Sequence, residues 1–351
     1  MKTKIGYKET SSIIAIFSLG VFLIRVIPRL LVSLSNGIWI NLILEFILTL
    51  LFYGLVCKYF NRFNEFGFFE YTDKFFGKCF CIFIGVIFFL FIVIYTFSTF
   101  NEFSDILSAL THFESFNKVR LTLFFVSFIC AYFGIEALSR YGFISLGFIY
   151  VLFAFILYCI FGAIKVDNLT PLFGNDTFLT FTKPDFLMMF FIPLFVVLMS
   201  DLFKNKSEMK KCAFLSVLKV FLISLFVVVI FSLTIPKDMI TTYTNPLFSI
   251  FYVSASGEVF HRFEILIISL YTLIMITSLS FGIILSSHIL TKISKISDYR
   301  PFVIVISVIM YFLTNINFGL DLLYLSSVIL SVLTFFIICV FCVAGIFLKH
   351  R

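Results

Sequence analysis

"SLGVFLIRVIPRLL", residues 18–31, is apolar except for Arg25 and Arg29, with Pro28 lodged between them. In water this run is a core helix spoiled by two charges; in a bilayer it is most of a span. Composition chooses between the two. The chain is 61% hydrophobic and 13% charged over 351 residues, with a mean hydropathy of +1.13. A soluble fold covers its exterior with polar groups and has no use for so much apolar surface. The chain is therefore read as an integral membrane protein.

Working outward at about 20 apolar residues per crossing yields ten segments. They lie near 12–33, 37–57, 79–103, 119–135, 142–164, 184–202, 212–234, 262–287, 301–316 and 320–347. All belong to one membrane domain spanning 1–351, with room for no soluble domain. Lysine and arginine set the orientation. Alternate loops carry Lys2, Lys4 and Lys8, then Lys58, Arg62, Lys74 and Lys78, then Lys204, Lys206, Lys210 and Lys211. The opposite loops hold few, among them Lys118, Arg120 and Lys237. Both termini are thus expected in the cytoplasm. Two outer connections, 165–183 and 235–261, are longer than a hairpin needs, and the second contains an apolar "PLFSIFYVSA" suited to an interfacial helix. The N-terminal "MKTKIGYKE" lacks a small-residue cleavage site and reads as the start of a retained first helix.

The net charge of +7 sits in these short loops, so it reads as topology and not as a nucleic-acid surface. The 54 phenylalanines are read as the usage of an AT-rich genome. Of the eight cysteines, Cys79 and Cys81, and Cys339 and Cys342, are closely spaced. Neither pair has His or acidic residues at ligand spacing, and all eight are read as small apolar packing groups.

Six segments carry a family resemblance: "NGIWI" (36–40), "FFEYTDKFFGK" (68–78), "GIEALSR" (134–140), "NLTPLF" (168–173), "TNPLFSI" (244–250) and "VFHRFEIL" (259–266). In that order and spacing the chain resembles the B subunit of bacterial spore germinant receptors, permease-like proteins of the amino acid–polyamine–organocation superfamily. The resemblance implies an all-α fold of ten transmembrane helices in two inverted five-helix repeats, about 12–164 and 184–347. Helices 1 and 6 would be broken near the midplane, their exposed half-helix ends binding the ligand. Gly20 in span one and Pro193 in span six occupy the matching places. Span six, "MMFFIPLFVVLMSDLF", has no glycine, a departure from the glycine-containing break usual in the family.

The charges inside the spans are the chemistry to explain. With the midpoint of span one near residue 22, Arg25 stands roughly 4–5 Å and Arg29 roughly 10 Å toward the outside, on one helix face. Glu45 falls close to the midpoint of span two, whereas Glu102 and Asp105 lie at the outer end of span three. An uncompensated charge at the bilayer centre costs about 2.5–3.5 kcal/mol or more. Depth matching pairs Arg25 with Glu45, and Arg29 with Glu102 or Asp105, or lets Arg29 snorkel outward. Two alternatives for Arg25 remain open: contact with an anionic ligand group such as a carboxylate, and snorkelling toward the interface. Hydroxyls cluster in span three (Tyr95, Thr96, Ser98, Thr99) and span eight (Thr277, Ser278, Ser280), where they either line a site or bond helices together. Candidate ligand-binding residues are Gly20, Arg25, Glu45, Ser98, Pro193, Thr277 and Ser278.

Enzymatic chemistry finds no footing. The four His (112, 261, 288 and 350) fall in loops or at span ends, none with a metal-ligand partner, and no phosphate-binding loop or nucleophile elbow is present. No metal or cofactor is expected. The resemblance implies a small-nutrient sensor, an amino acid being the expected ligand, in the inner spore membrane, working with an A subunit and a lipoprotein C subunit. The alternative is a secondary amino-acid transporter of the same fold, with Glu45 as the deep acid available for proton coupling.

Overall fold

The computed structural model describes residues 5–62, 67–111, 116–170, 188–203, 205–235, 264–296, 298–314 and 320–347. Apolar runs without water must satisfy their backbone internally, and these do so as helices. In chain order they are α1 (Tyr7–Val21), a π-helical stretch (Phe22–Val26), α2 (Ile27–Leu34), α3 (Ile38–Arg62), α4 (Phe68–Phe76), α5 (Lys78–Thr111) and α6 (Phe116–Tyr132). There follow α7 (Ile135–Ile160), α8 (Phe191–Leu198), α9 (Lys206–Thr234), α10 (Glu264–Ser294), α11 (Arg300–Thr314) and α12 (Leu320–Phe347). The described residues hold no strand beyond an isolated parallel bridge between Ile5 and Phe203.

Each of the ten expected segments overlaps a helix among the described residues, though the one expected at 184–202 holds only the eight-residue α8. Among the described residues, six helices are by length and composition able to cross a membrane: Tyr7–Leu34, Ile38–Lys58, Lys78–Ser108, Ile135–Ile160, Lys206–Thr234 and Ile265–Ser294. Met188–Leu198, Arg300–Thr314 and Leu325–Ile337 are shorter apolar helices.

Two elements are buried on every side. All residues from Thr10 to Val21 of α1 and all eight of α8 are shielded. Helix α1 packs against α7, α8, α9 and α10, while α10 reaches α5, α6 and α11. Around this centre the outer helices are apolar on both faces, so amphipathicity does not reveal their orientation; burial does. On α7 the buried face runs Leu138, Gly142, Leu146, Ile149, Phe153 and Ile156. Ile144, Phe148, Val151 and Phe155 of the same helix are exposed where lipid would meet them.

The matched motifs serve as joints. "FFEYTDKFFGK" forms α4, laid against α5. Gly134 opens "GIEALSR" at φ 93°, which glycine alone adopts without strain, and Glu136 and Arg140 pair at 2.7 Å one turn apart. "NGIWI" and "NLTPLF" meet in space, since Asn36 Nδ2 donates to the Asn168 carbonyl at 2.8 Å. The segments "TNPLFSI" and "PLFSIFYVSA", with Arg262 and most of 165–183, lie outside the described residues.

Helices 1 and 6 differ from expectation. Helix 1 is not broken: it stays helical through Gly20 and widens to π geometry over Phe22–Val26, where the Ile27 N–H bonds to the Phe22 carbonyl. Pro28 supplies the cause. It has no N–H for the Ile24 carbonyl and its ring crowds that oxygen, so the turn before it opens. Pro193 marks no mid-helix break among the described residues. It sits in the first turn of α8, where a missing N–H breaks no intrahelical bond.

Candidate functional site

The π stretch sets the first side of the site. It places Arg25 against α5 with its side chain fully buried. On α5, Tyr95, Ser98 and Glu102 follow at helical spacing and share a face. Arg25 Nη1 donates to Ser98 Oγ at 2.9 Å, and Arg25 Nε lies 3.3 Å from Glu102 Oε1. The same oxygen accepts from Arg29 Nη2 at 2.9 Å. Two guanidinium groups from one helix thus converge on one carboxylate of another. Farther out, Arg120 of α6 stands 3.7 Å from Asp105.

Below Arg25 the centre is aromatic. Phe17 of α1 meets Tyr95 of α5 at 5.3 Å, Phe195 of α8 at 5.0 Å and Phe281 of α10 at 5.0 Å between ring centroids. Tyr95 is 1% exposed, and its hydroxyl makes no hydrogen bond among the described residues. Burying a hydroxyl without a partner costs about 1–3 kcal/mol, so it marks a place built for something besides stability. Gly20 completes this centre by close approach. A Cβ there would stand 2.9 Å from Ser278 Oγ, and Ser278 itself donates to the Ile16 carbonyl at 3.3 Å.

Of the sequence candidates, Gly20, Arg25, Ser98 and Ser278 therefore converge between α1, α5 and α10, with α8 closing the side at Phe195. Thr277 turns away from this set and donates to the Leu273 carbonyl of its own helix at 2.9 Å. Pro193 contributes through the placement of α8. The pairing of Arg25 with Glu45 is corrected. Arg25 pairs with Glu102, while buried Glu45 accepts the Met189 N–H at 3.2 Å, at the start of the helix-6 segment. Depth was matched, but α3 presents Glu45 toward the chain entering α8, and the π stretch turns Arg25 toward α5. The expectation that Arg29 reaches Glu102 holds.

A second charged cluster occupies the face of the bundle that carries Ile5. Asp201 Oδ1 lies 3.2 Å from His288 Nε2, and Asp201 Oδ2 pairs with Lys292 Nζ. A cavity of about 580 Å³ opens beside it, lined also by Asp73 and Lys295, which pair at 2.8 Å. Burial alone would push the Asp201 carboxyl up. The hydrogen bond and charge of His288, together with Lys292, outweigh that and hold it well below the usual carboxylate range. The Asp73 carboxylate, by its hydrogen bond and charge, raises Lys295. His288 lies within α10 and not beyond its end, because the helix continues to Ser294. Lys219, partly buried on α9 and bonded to Ser11 and Ser12 of α1, also escaped the sequence reading. Its signal was a lone lysine inside an apolar span.

The fold is shared with a solved transporter of the nucleobase-cation-symport-1 family, Mhp1, in a closed conformation with bromovinylhydantoin bound. The TM-score is 0.60 at 12% identity, covering 92% of this chain and 75% of that one. Long apolar helices on this fold, together with the family match below, mark a permease-like membrane protein. No curated protein sequence matches the chain. The family profile described as spore germination protein, however, matches residues 4–318. The chain belongs to the spore germination protein family.

Proposed function

We propose that the chain is the permease-like integral membrane subunit of a spore germinant receptor, which binds a small nutrient, an amino acid, and signals germination. In this reading ten helices cross the inner spore membrane as two inverted five-helix repeats, with both termini cytoplasmic. An A subunit and a lipoprotein C subunit read out the bound state. The charge asymmetry of the loops supports the orientation, and the burial of α1 from Thr10 onward and of all of α8 supports the repeat.

One observation carries the ligand reading: the unpartnered Tyr95 hydroxyl, fully buried between α1 and α8 and one turn from the Ser98 that holds Arg25. A hydroxyl and a guanidinium on adjacent turns suit a carboxylate, which takes a planar fork and a further donor. The rings of Phe17, Phe195 and Phe281 suit an apolar side chain, and they must part to admit it. Ligand binding signals only if it favours one of two arrangements over the other.

The test is deletion of the gene in the spore-forming host, scoring germination with each amino acid, followed by complementation with Tyr95→Phe and Arg25→Met. Germination unchanged with every nutrient after deletion rejects the reading. Glu45, a buried acid at the α3–α8 contact, favours a second reading as a proton-coupled transporter. Radiolabelled amino acid offered to vesicles separates the two: accumulation supports transport, and saturable binding without accumulation supports a sensor.

A further inference from the structure

Lys219 of α9 holds α1 by two hydrogen bonds. Its Nζ stands 2.8 Å from Ser11 Oγ and 2.9 Å from Ser12 Oγ. Each serine has one hydroxyl proton, and each gives it to the Lys8 carbonyl, at 2.8 and 2.9 Å. Both oxygens therefore face Lys219 as acceptors only. Two acceptors satisfy the two N–H bonds of a neutral amine, whereas an ammonium carries a third. No ion pair among the described residues includes Lys219.

The surroundings offer the charged form little help. Helix α9 packs against α1, α3, α8 and the 3-10 turn Val166–Leu169. Helix α1 brings Tyr7, Lys8 and Glu9 at its start; α3 brings Glu45, Tyr53, Cys57 and Lys58; α8 brings no titratable group; the turn brings Asp167. Helix α7, touching α9 through Phe153 and Phe226, adds Tyr150. On α9 itself Glu208, Lys210 and Lys211 lie at the first turns, and Cys212 two turns before Lys219. None of the carboxylates stands within 4 Å of the amine. Ser11 and Ser12 are fully buried, whereas Lys219 is only partly so.

We propose that Lys219 is a proton-binding site that couples protonation to the docking of α1: the neutral amine latches the N-terminal half of α1 to α9, and the ammonium releases it. The step is one proton transfer. The amine lone pair takes a proton from hydronium, leaving water, and the new N–H meets no further acceptor among the described residues. An ammonium without a carboxylate is better served by water, so it turns outward and gives up both serines. The argument is independent of the ligand site around Tyr95.

Hydrogen exchange of the purified protein in detergent, followed by mass spectrometry, tests it. In the wild type, protection of Tyr7–Val21 relative to Glu264–Ser294 rises with pH, by at most about tenfold per pH unit for one linked proton. Lys219→Met, which neither titrates nor donates, removes the slope, while Lys219→Arg leaves α1 unprotected throughout. Should Lys219→Met not fold, the double substitution Ser11→Ala and Ser12→Ala removes the acceptors and must flatten the same slope. Protection of wild-type α1 that ignores pH, or a slope that survives either the Lys219→Met or the double-serine change, overturns the proposal.

Discussion

Replacing Glu102 by Gln leaves two guanidinium groups facing a neutral amide. At 3.3 Å and an effective dielectric of about 20, the Arg25–Glu102 attraction is about 5 kcal/mol before desolvation is subtracted. Arg25 is fully buried, so removing this counter-charge takes compensation from a buried guanidinium, and breaking such a pair costs about 3–5 kcal/mol. Arg29 is 33% exposed, and water screens its share to about 1 kcal/mol or less. Arg25→Met is milder than Glu102→Gln, because Glu102 keeps Arg29 and no buried cation is left behind. The expected order of destabilisation is therefore Glu102→Gln, then Arg25→Met, then Arg29→Met. The double variant Arg25→Met with Glu102→Gln should fall short of the summed singles by about 1–3 kcal/mol. Unfolding midpoints of the purified variants in a denaturing-detergent titration give the ranking. A Glu102→Gln loss no larger than that of Arg29→Met, or strict additivity of the pair, refutes the reasoning.

Three further outcomes follow from the same geometry. Tyr95→Phe removes a hydroxyl that no described group meets, so unfolding resistance should stay level or rise by up to about 1 kcal/mol. Equilibrium binding of the nutrient, in the same preparation, should weaken by about tenfold or more. Gly20→Ala pushes a methyl against Ser278 and should cost about 1–3 kcal/mol; adding Ser278→Ala should recover part of this, as a melting comparison in detergent will show. Asp201 is held below its ordinary range, so its contribution to stability is present above about pH 4 and fades as the pH falls through its lowered folded value. The melting temperature of Asp201→Asn should therefore lie below wild type at neutral pH, with the gap closing in acid.

The sequence speaks clearly where the solvent dictates the answer. Lipid demands continuous, self-bonded apolar segments of a certain length, so the helices at 37–57 and 212–234 were legible. The observed helices, Ile38–Arg62 and Lys206–Thr234, extend beyond those bounds on their charged ends. Depth was legible too, which is why Arg29 and Glu102 were matched. Azimuth was not. Arg25 and Glu45 share a depth, yet the direction in which each points depends on the π widening ahead of Pro28 and on the neighbours of α3. Amphipathic patterning, the usual guide to facing, is silent in helices apolar all round. His288 was misplaced because α10 outlasts its apolar stretch by two turns, carried on charged residues that pair with the turn after α8. Lys219 escaped because attention to charge balance in the loops passes over a cation that is satisfied by hydroxyls.

The complete burial of α1 bears on how the chain is assembled during synthesis. All the helices that cover it, α7 to α10, come later in the chain, and the carboxylate that neutralises Arg25 and Arg29 arrives only with α5. For that interval the first span is a poorly lipid-adapted guest, able to shift toward the surface and carry its arginines to water. The ribosome has then passed Ser294 before helix 1 has its final surroundings. Chains cut short before α9 should be unable to retain helix 1 in place, making premature truncation harmful well beyond the residues it deletes.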